Sequence, residues 1–137
     1  MGILIFFDTG GWAALSIPGD LNAPAARRLF SEVSRGRHGA VVTTSFVLDE
    51  VVTLLRAATD VETASRFARG ILGSRETTIV WIDQPLFEAA LEEFESHADK
   101  RWSLTDCSSF VVMRQLGLDT AFSFDKNFEQ TGFLRLP

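Results

Sequence analysis

Residues 3–12 read ILIFFDTGGW, and the fold turns on how this stretch is understood. An unbroken apolar run from Ile3 to Phe7 ends at an acid, followed by Thr9, Gly10 and Gly11. A strand with one wet face alternates apolar and polar side chains. A continuous run of this kind is instead a strand buried on both faces, as in a parallel sheet. It is too short to span a membrane and lacks the basic flank of a signal peptide. Strand propensity gives no reason for an acid at its end, so Asp8 demands an explanation. Gly10 and Gly11 lack the G-x-G-x-x-G spacing of a phosphate-binding loop and read as a sharp turn after the strand.

Working outward, residues 22–35 carry apolar side chains at helical spacing (Ala25, Ala26, Leu29, Phe30, Val33), with Gly36 and Gly39 closing the helix. Residues 40–43 form a second strand. Thr44 or Ser45 then caps a helix with Phe46, Val47, Val51, Leu54 and Leu55 on one side. Asp60 caps another that ends at Gly73, and residues 77–82 are a third strand. Pro85 opens a helix through Leu86, Ala89, Ala90 and Phe94. Thr105 or Asp106 starts one that Gly117 stops. Residues 120–124 are a fourth strand and 132–136 a short fifth. Strands alternating with helices imply an α/β fold with a mostly parallel sheet, and 137 residues without repeat or linker imply one domain over 1–137.

In such sheets ligands gather beyond the carboxyl ends of the strands, at the switch point of strand order. Asp8 follows the first strand, Asp125 the fourth, Asp106 opens a helix, and Glu50 lies on the inward phase of its helix while Asp49 points out. Taken singly, Asp106 is a helix cap and Asp125 a turn residue in Asp-Lys-Asn. Together, with Arg101 and Lys126 the nearest cations in sequence, they form an acidic cluster that a divalent cation would neutralise. One cysteine, Cys107, and two histidines, His38 and His97, leave only oxygen ligands, which suit Mg²⁺ or Mn²⁺. Cys107 has no histidine partner and reads as a buried structural thiol. The net charge of −5 speaks against a broad basic surface. Substrate contact would then fall to the cation and to local arginines; Arg27, Arg28, Arg35 and Arg37 form a modest basic group whose default reading is a solvated helix face. Trp12 is the aromatic best placed to stack on a base, against a default of core packing for it, Trp81 and Trp102.

Four blocks, FFDTGGW (6–12), TTSFVLDEVVTLL (43–55), WSLTDCSSFVVMRQLGL (102–118) and AFSFDKNFEQTGFLRLP (121–137), in this order and spacing resemble the PIN-domain nucleases, especially the VapC-type toxins of toxin–antitoxin pairs. The resemblance implies a three-layer PIN-like fold with sheet order 3-2-1-4-5 and a Mg²⁺ or Mn²⁺ pocket. It also implies endoribonuclease action by a metal-activated water that leaves a 5′-phosphate and a 3′-hydroxyl. Asp8, Glu50, Asp106 and Asp125 match the family's acids in turn, with Asp8, Asp106 and Asp125 as metal ligands and Glu50 as ligand or water-orienting group. Thr9 and Ser123 match supporting positions, and Asp99 is a solvated loop acid. The implied partners are an RNA substrate, an antitoxin that inserts a basic side chain into the pocket, and a second copy in a homodimer. Apolar content beyond one small core also points to the homodimer. The compartment is cytoplasmic, with no membrane involvement. A non-toxin RNA-processing nuclease and a non-catalytic binding domain on the same fold are the alternatives, the latter disfavoured by the presence of all the acids. A receiver-type phosphotransfer domain would need a second acid near Asp8, and Asp8-Thr9-Gly10 has none.

Overall fold

The computed structural model describes residues 4–35 and 40–137. The expected strand start at Ile3, the helix-closing Gly36 and Gly39, and also Arg37 and His38 lie outside the described residues. The elements run β1 (Leu4–Phe7), α1 (Thr9–Ser16), α2 (Ala23–Ser34), β2 (Ala40–Thr44), α3 (Ser45–Ala58), α4 (Val61–Leu72), β3 (Thr77–Val80), α5 (Gln84–Ser96), α6 (Leu104–Leu116), β4 (Thr120–Phe122), α7 (Asn127–Gln130) and β5 (Leu134–Leu136). The sheet has order β3-β2-β1-β4-β5, and every ladder in it is parallel. β1 is therefore central, which explains its sequence. Phe7 packs on Trp12 of α1 and Phe30 of α2, while Phe6 packs on Phe128 of α7, which in turn meets Phe110 of α6. Both faces of the strand are covered, and Ile5, Phe6 and Phe7 are fully buried.

Several expectations are corrected. Thr9-Gly10-Gly11 is no turn: α1 begins directly after Asp8. Neither glycine has positive φ. Gly11 serves close packing, because a Cβ there would lie 2.8 Å from the Phe122 carbonyl oxygen. The cap of α6 is Ser103 rather than Thr105 or Asp106. Its hydroxyl accepts from the Asp106 N–H at 3.0 Å while the Asp106 carboxylate accepts from the Ser103 N–H, a reciprocal capping box. The third and fourth strands stop at Val80 and Phe122, short of residues 82 and 124. Leu54 is 46% exposed rather than packed with Val47 and Val51. Thr44 caps α3 through the Val47 N–H, and Asp60 caps α4 through the Thr63 N–H, both as expected.

Candidate active site

β1 and β4 end side by side, and this edge builds the site. Phe7 pairs with Phe122, and the Asp8 N–H continues the ladder by donating to the Phe122 carbonyl at 3.0 Å. Asp8 and Ser123 thus leave the sheet as neighbours, and the Ser123 hydroxyl donates to Asp8 Oδ2 at 2.9 Å. The same hydroxyl accepts from the Asp125 N–H at 3.0 Å, so one serine anchors both acids. Behind it, the Arg135 guanidinium of β5 donates to the Ser123 carbonyl and pairs with Glu129. On the other side, Thr9 at the start of α1 donates to Glu50 Oε1 on α3 at 2.8 Å. Asp49 points outward and is exposed, as its phase implied.

The structure brings Asp8, Glu50, Asp106 and Asp125 to the wall of one open pocket of about 700 Å³. Arg101 and Lys126 line it too. Among the described residues no lysine or arginine pairs with any of these carboxylates. Asp8 is only 4% exposed. Burial pushes its carboxyl up to about 7 from 3.8; the Thr9 N–H and the Ser123 hydroxyl oppose that rise, and the charges of Asp106 and Asp125 add to it. The Asp106 carboxyl is also raised, by burial first and then by Asp125, against hydrogen bonds from Ser103 and Asn127. The pocket thus gathers acids that no lysine or arginine pairs with among the described residues.

A hard divalent cation suits an all-oxygen donor set of this kind. Among the described residues no group of three acids forms a ready-made ion cage. That does not conflict with Mg²⁺, which keeps several waters and takes only one or two protein carboxylates directly.

The default of core packing holds for Trp12 and Trp102 and fails for Trp81, which is 62% exposed. Trp12 is buried, with its indole N–H on the Thr43 hydroxyl at 3.2 Å and its ring against Phe7 and Phe67, so it is core and cannot stack on RNA. Asn127, which the sequence reading passed over, donates to both Asp106 and Asp125. The signal for it was its place two residues beyond Asp125, where an Asx turn folds the chain back onto the acid. Cys107 is buried and burial lifts its thiol to about 11, in keeping with a structural role. Asp99 is exposed and pairs with Lys100.

Comparisons with known proteins bear on the family and the fold. Residues 5–134 match the PIN domain family. The chain is 33% identical over 136 residues to the 23S rRNA-specific endonuclease VapC20 of Mycobacterium tuberculosis, covering 97% of this chain and 98% of that protein. It is also 33% identical over 94 residues to a VapC ribonuclease of Archaeoglobus fulgidus, covering 68% of this chain and 58% of that protein. The crystal structure of Mycobacterium tuberculosis VapC20, titled a sarcin-ricin loop cleaving toxin, superposes with a TM-score of 0.86 at 34% identity, covering 95% of this chain and 96% of that one. A parallel 3-2-1-4-5 sheet with its acids at the β1–β4 edge, and similarity along nearly the full length of VapC20, make this chain a member of the PIN domain family, among its VapC ribonucleases.

Proposed function

We propose that this chain is a divalent-cation-dependent endoribonuclease and the toxin of a toxin–antitoxin pair. The observation that carries the reading is the set of carboxylates, Asp8, Glu50, Asp106 and Asp125, lining one pocket with no ion pair to a lysine or arginine among the described residues. Asp8, Asp106 and Asp125 would hold Mg²⁺ or Mn²⁺, partly through water. The ion, when bound, supplies neutralisation of the phosphodiester charge and acidifies water. Glu50, oriented by Thr9, positions the attacking water. Water oxygen bonds to phosphorus and gives a proton up to solvent, the P–O3′ bond breaks, and the departing 3′ oxygen takes a proton from solvent, leaving a 5′-phosphate and a 3′-hydroxyl.

Arg101 and Lys126 are exposed at the same pocket and make no ion pair among the described residues, so they are placed to grip phosphates on either side of the cleaved bond. This local pair offsets a net charge of −5 that would otherwise repel RNA. An antitoxin presenting a basic side chain to the acids would silence the site by replacing the cation. No helix among the described residues is long and apolar enough to cross a membrane, which suits a cytoplasmic enzyme. The name of the VapC20 relative makes 23S rRNA the first substrate to try.

The test is cleavage of 23S rRNA by purified protein with Mg²⁺, Mn²⁺ or EDTA, beside Asp8→Asn and Asp106→Asn. Cleavage should require the ion and fall about a hundred- to a thousandfold in both variants, on the scale of losing one key transition-state contact. Expression of the wild type should slow growth and that of Asp8→Asn should not. Full cleavage in EDTA, or by either variant, overturns the reading.

A further inference from the structure

Asp106 opens α6 and Asp125 follows β4, so two separate elements present like charges to one pocket. Each carboxylate takes a backbone N–H of its own, Asp106 from Ser103 and Asp125 from Asn127, but among the described residues no backbone group joins the two. Asn127 spans it: its Nδ2 donates to Asp106 Oδ2 at 3.1 Å and to Asp125 Oδ2 at 3.1 Å. An amide nitrogen carries two N–H bonds, one for each carboxylate, and its carbonyl oxygen could face neither. Asp106 Oδ2 also takes the Ser103 N–H, so its Oδ1 is left out of both contacts. Asp125 is doubly held, since the Asn127 backbone N–H donates to its Oδ1 at 2.9 Å. We propose that the Asn127 side chain is a positioning residue that sets the separation and orientation of the Asp106 and Asp125 carboxylates for a shared divalent cation. The inference rests on the cation-dependent reading of this pocket.

Groups that orient metal ligands without touching the metal typically change affinity 10–100-fold when removed. Asn127→Ala deletes only the bridging amide, because the backbone N–H that turns the loop onto Asp125 remains. The experiment is calorimetric titration of wild type, Asn127→Ala and Asn127→Ser with MnCl₂, with thermal melts in EDTA alongside. The expected result is a Mn²⁺ Kd raised about tenfold or more in Asn127→Ala and by less in Asn127→Ser, which keeps one donor. The EDTA melts of all three should stay close together, and cleavage by Asn127→Ala should recover at saturating Mn²⁺. An unchanged Kd with a lower melt means a structural role, and a tighter Kd means that the amide competes with the ion; either overturns the proposal. If Asn127→Ala does not fold, Asn127→Ser decides it by the same criterion. If the wild type binds no Mn²⁺, the cation-dependent reading falls and this inference with it; normal binding by the wild type and both variants sinks this inference alone.

Discussion

Asp8 is buried at the end of the central strand with its carboxyl raised to about 7. Because that value lies above the ordinary 3.8, folding favours the protonated acid. The resulting stabilisation is complete below pH 4 or so and is lost as pH climbs through about 7. Asp106 is raised in the same sense, whereas Asp60 is lowered by its capping bond and titrates below this window. Metal-free protein in EDTA should therefore melt lower at pH 8 than at pH 5, through a loss on the order of a few kcal/mol. Asp8→Asn removes the titrating charge while keeping a polar group near Ser123. It should melt higher than wild type at pH 8 and match it more closely at pH 5. Scanning calorimetry at the two pH values checks this, and equal pH slopes in both proteins would refute it.

The elements that carry the acids are held by local devices whose removal has calculable consequences. In an ordinary helix Gly→Ala stabilises by about 1 kcal/mol. At Gly11 the added carbon would sit 2.8 Å from the Phe122 carbonyl and 3.1 Å from its ring, so overpacking wins. Gly11→Ala should lose about 1–3 kcal/mol in urea unfolding; stability at or above wild type would show that α1 can shift away from β4. Ser103→Ala removes the hydroxyl half of the α6 capping box and should cost about 1 kcal/mol. The Ser103 N–H that points the Asp106 carboxylate survives the change. Mn²⁺ affinity should thus stay within about threefold of wild type, far from the 10–100-fold loss of a true orienting group. Calorimetric titration of Ser103→Ala with MnCl₂ distinguishes these outcomes.

At the scale of the whole molecule, α5 carries an apolar face that stays partly exposed among the described residues. Phe87, Leu91 and Phe94 follow one another at helical spacing on α5 and are 40%, 38% and 45% exposed. Phe87 also meets Phe46 of α3, which extends the surface toward the helix that carries Glu50. Such a face is a candidate surface for the homodimer expected from the sequence. Light scattering of wild type should then give twice the 15.2 kDa chain mass, and Leu91→Glu should give a folded monomer. A monomeric wild type, or an undisturbed dimer in the variant, would remove this face from consideration.

Much of the architecture was legible in the chain because burial writes itself into hydrophobic period. The unbroken run before Asp8 marked a strand covered on both sides, and capping residues at Thr44 and Asp60 marked helix starts. The acids at strand ends were legible for a related reason: carboxylates seldom interrupt apolar surroundings unless something charged meets them. What the chain could not reveal was contact between residues far apart in it. Gly11 looks like a turn until Phe122 is seen against it, and Trp81 looks like core until the fold leaves it 62% exposed. Asn127 looks like a loop residue until α6 brings Asp106 within 3.1 Å of its amide. Local patterns follow from each residue's own solvation and backbone preference, so sequence alone determines the strands, the helices other than α1 and α7, and the candidate acids. Which side chains touch across the β1–β4 edge depends on strand order and packing distance, and only the tertiary structure decides that.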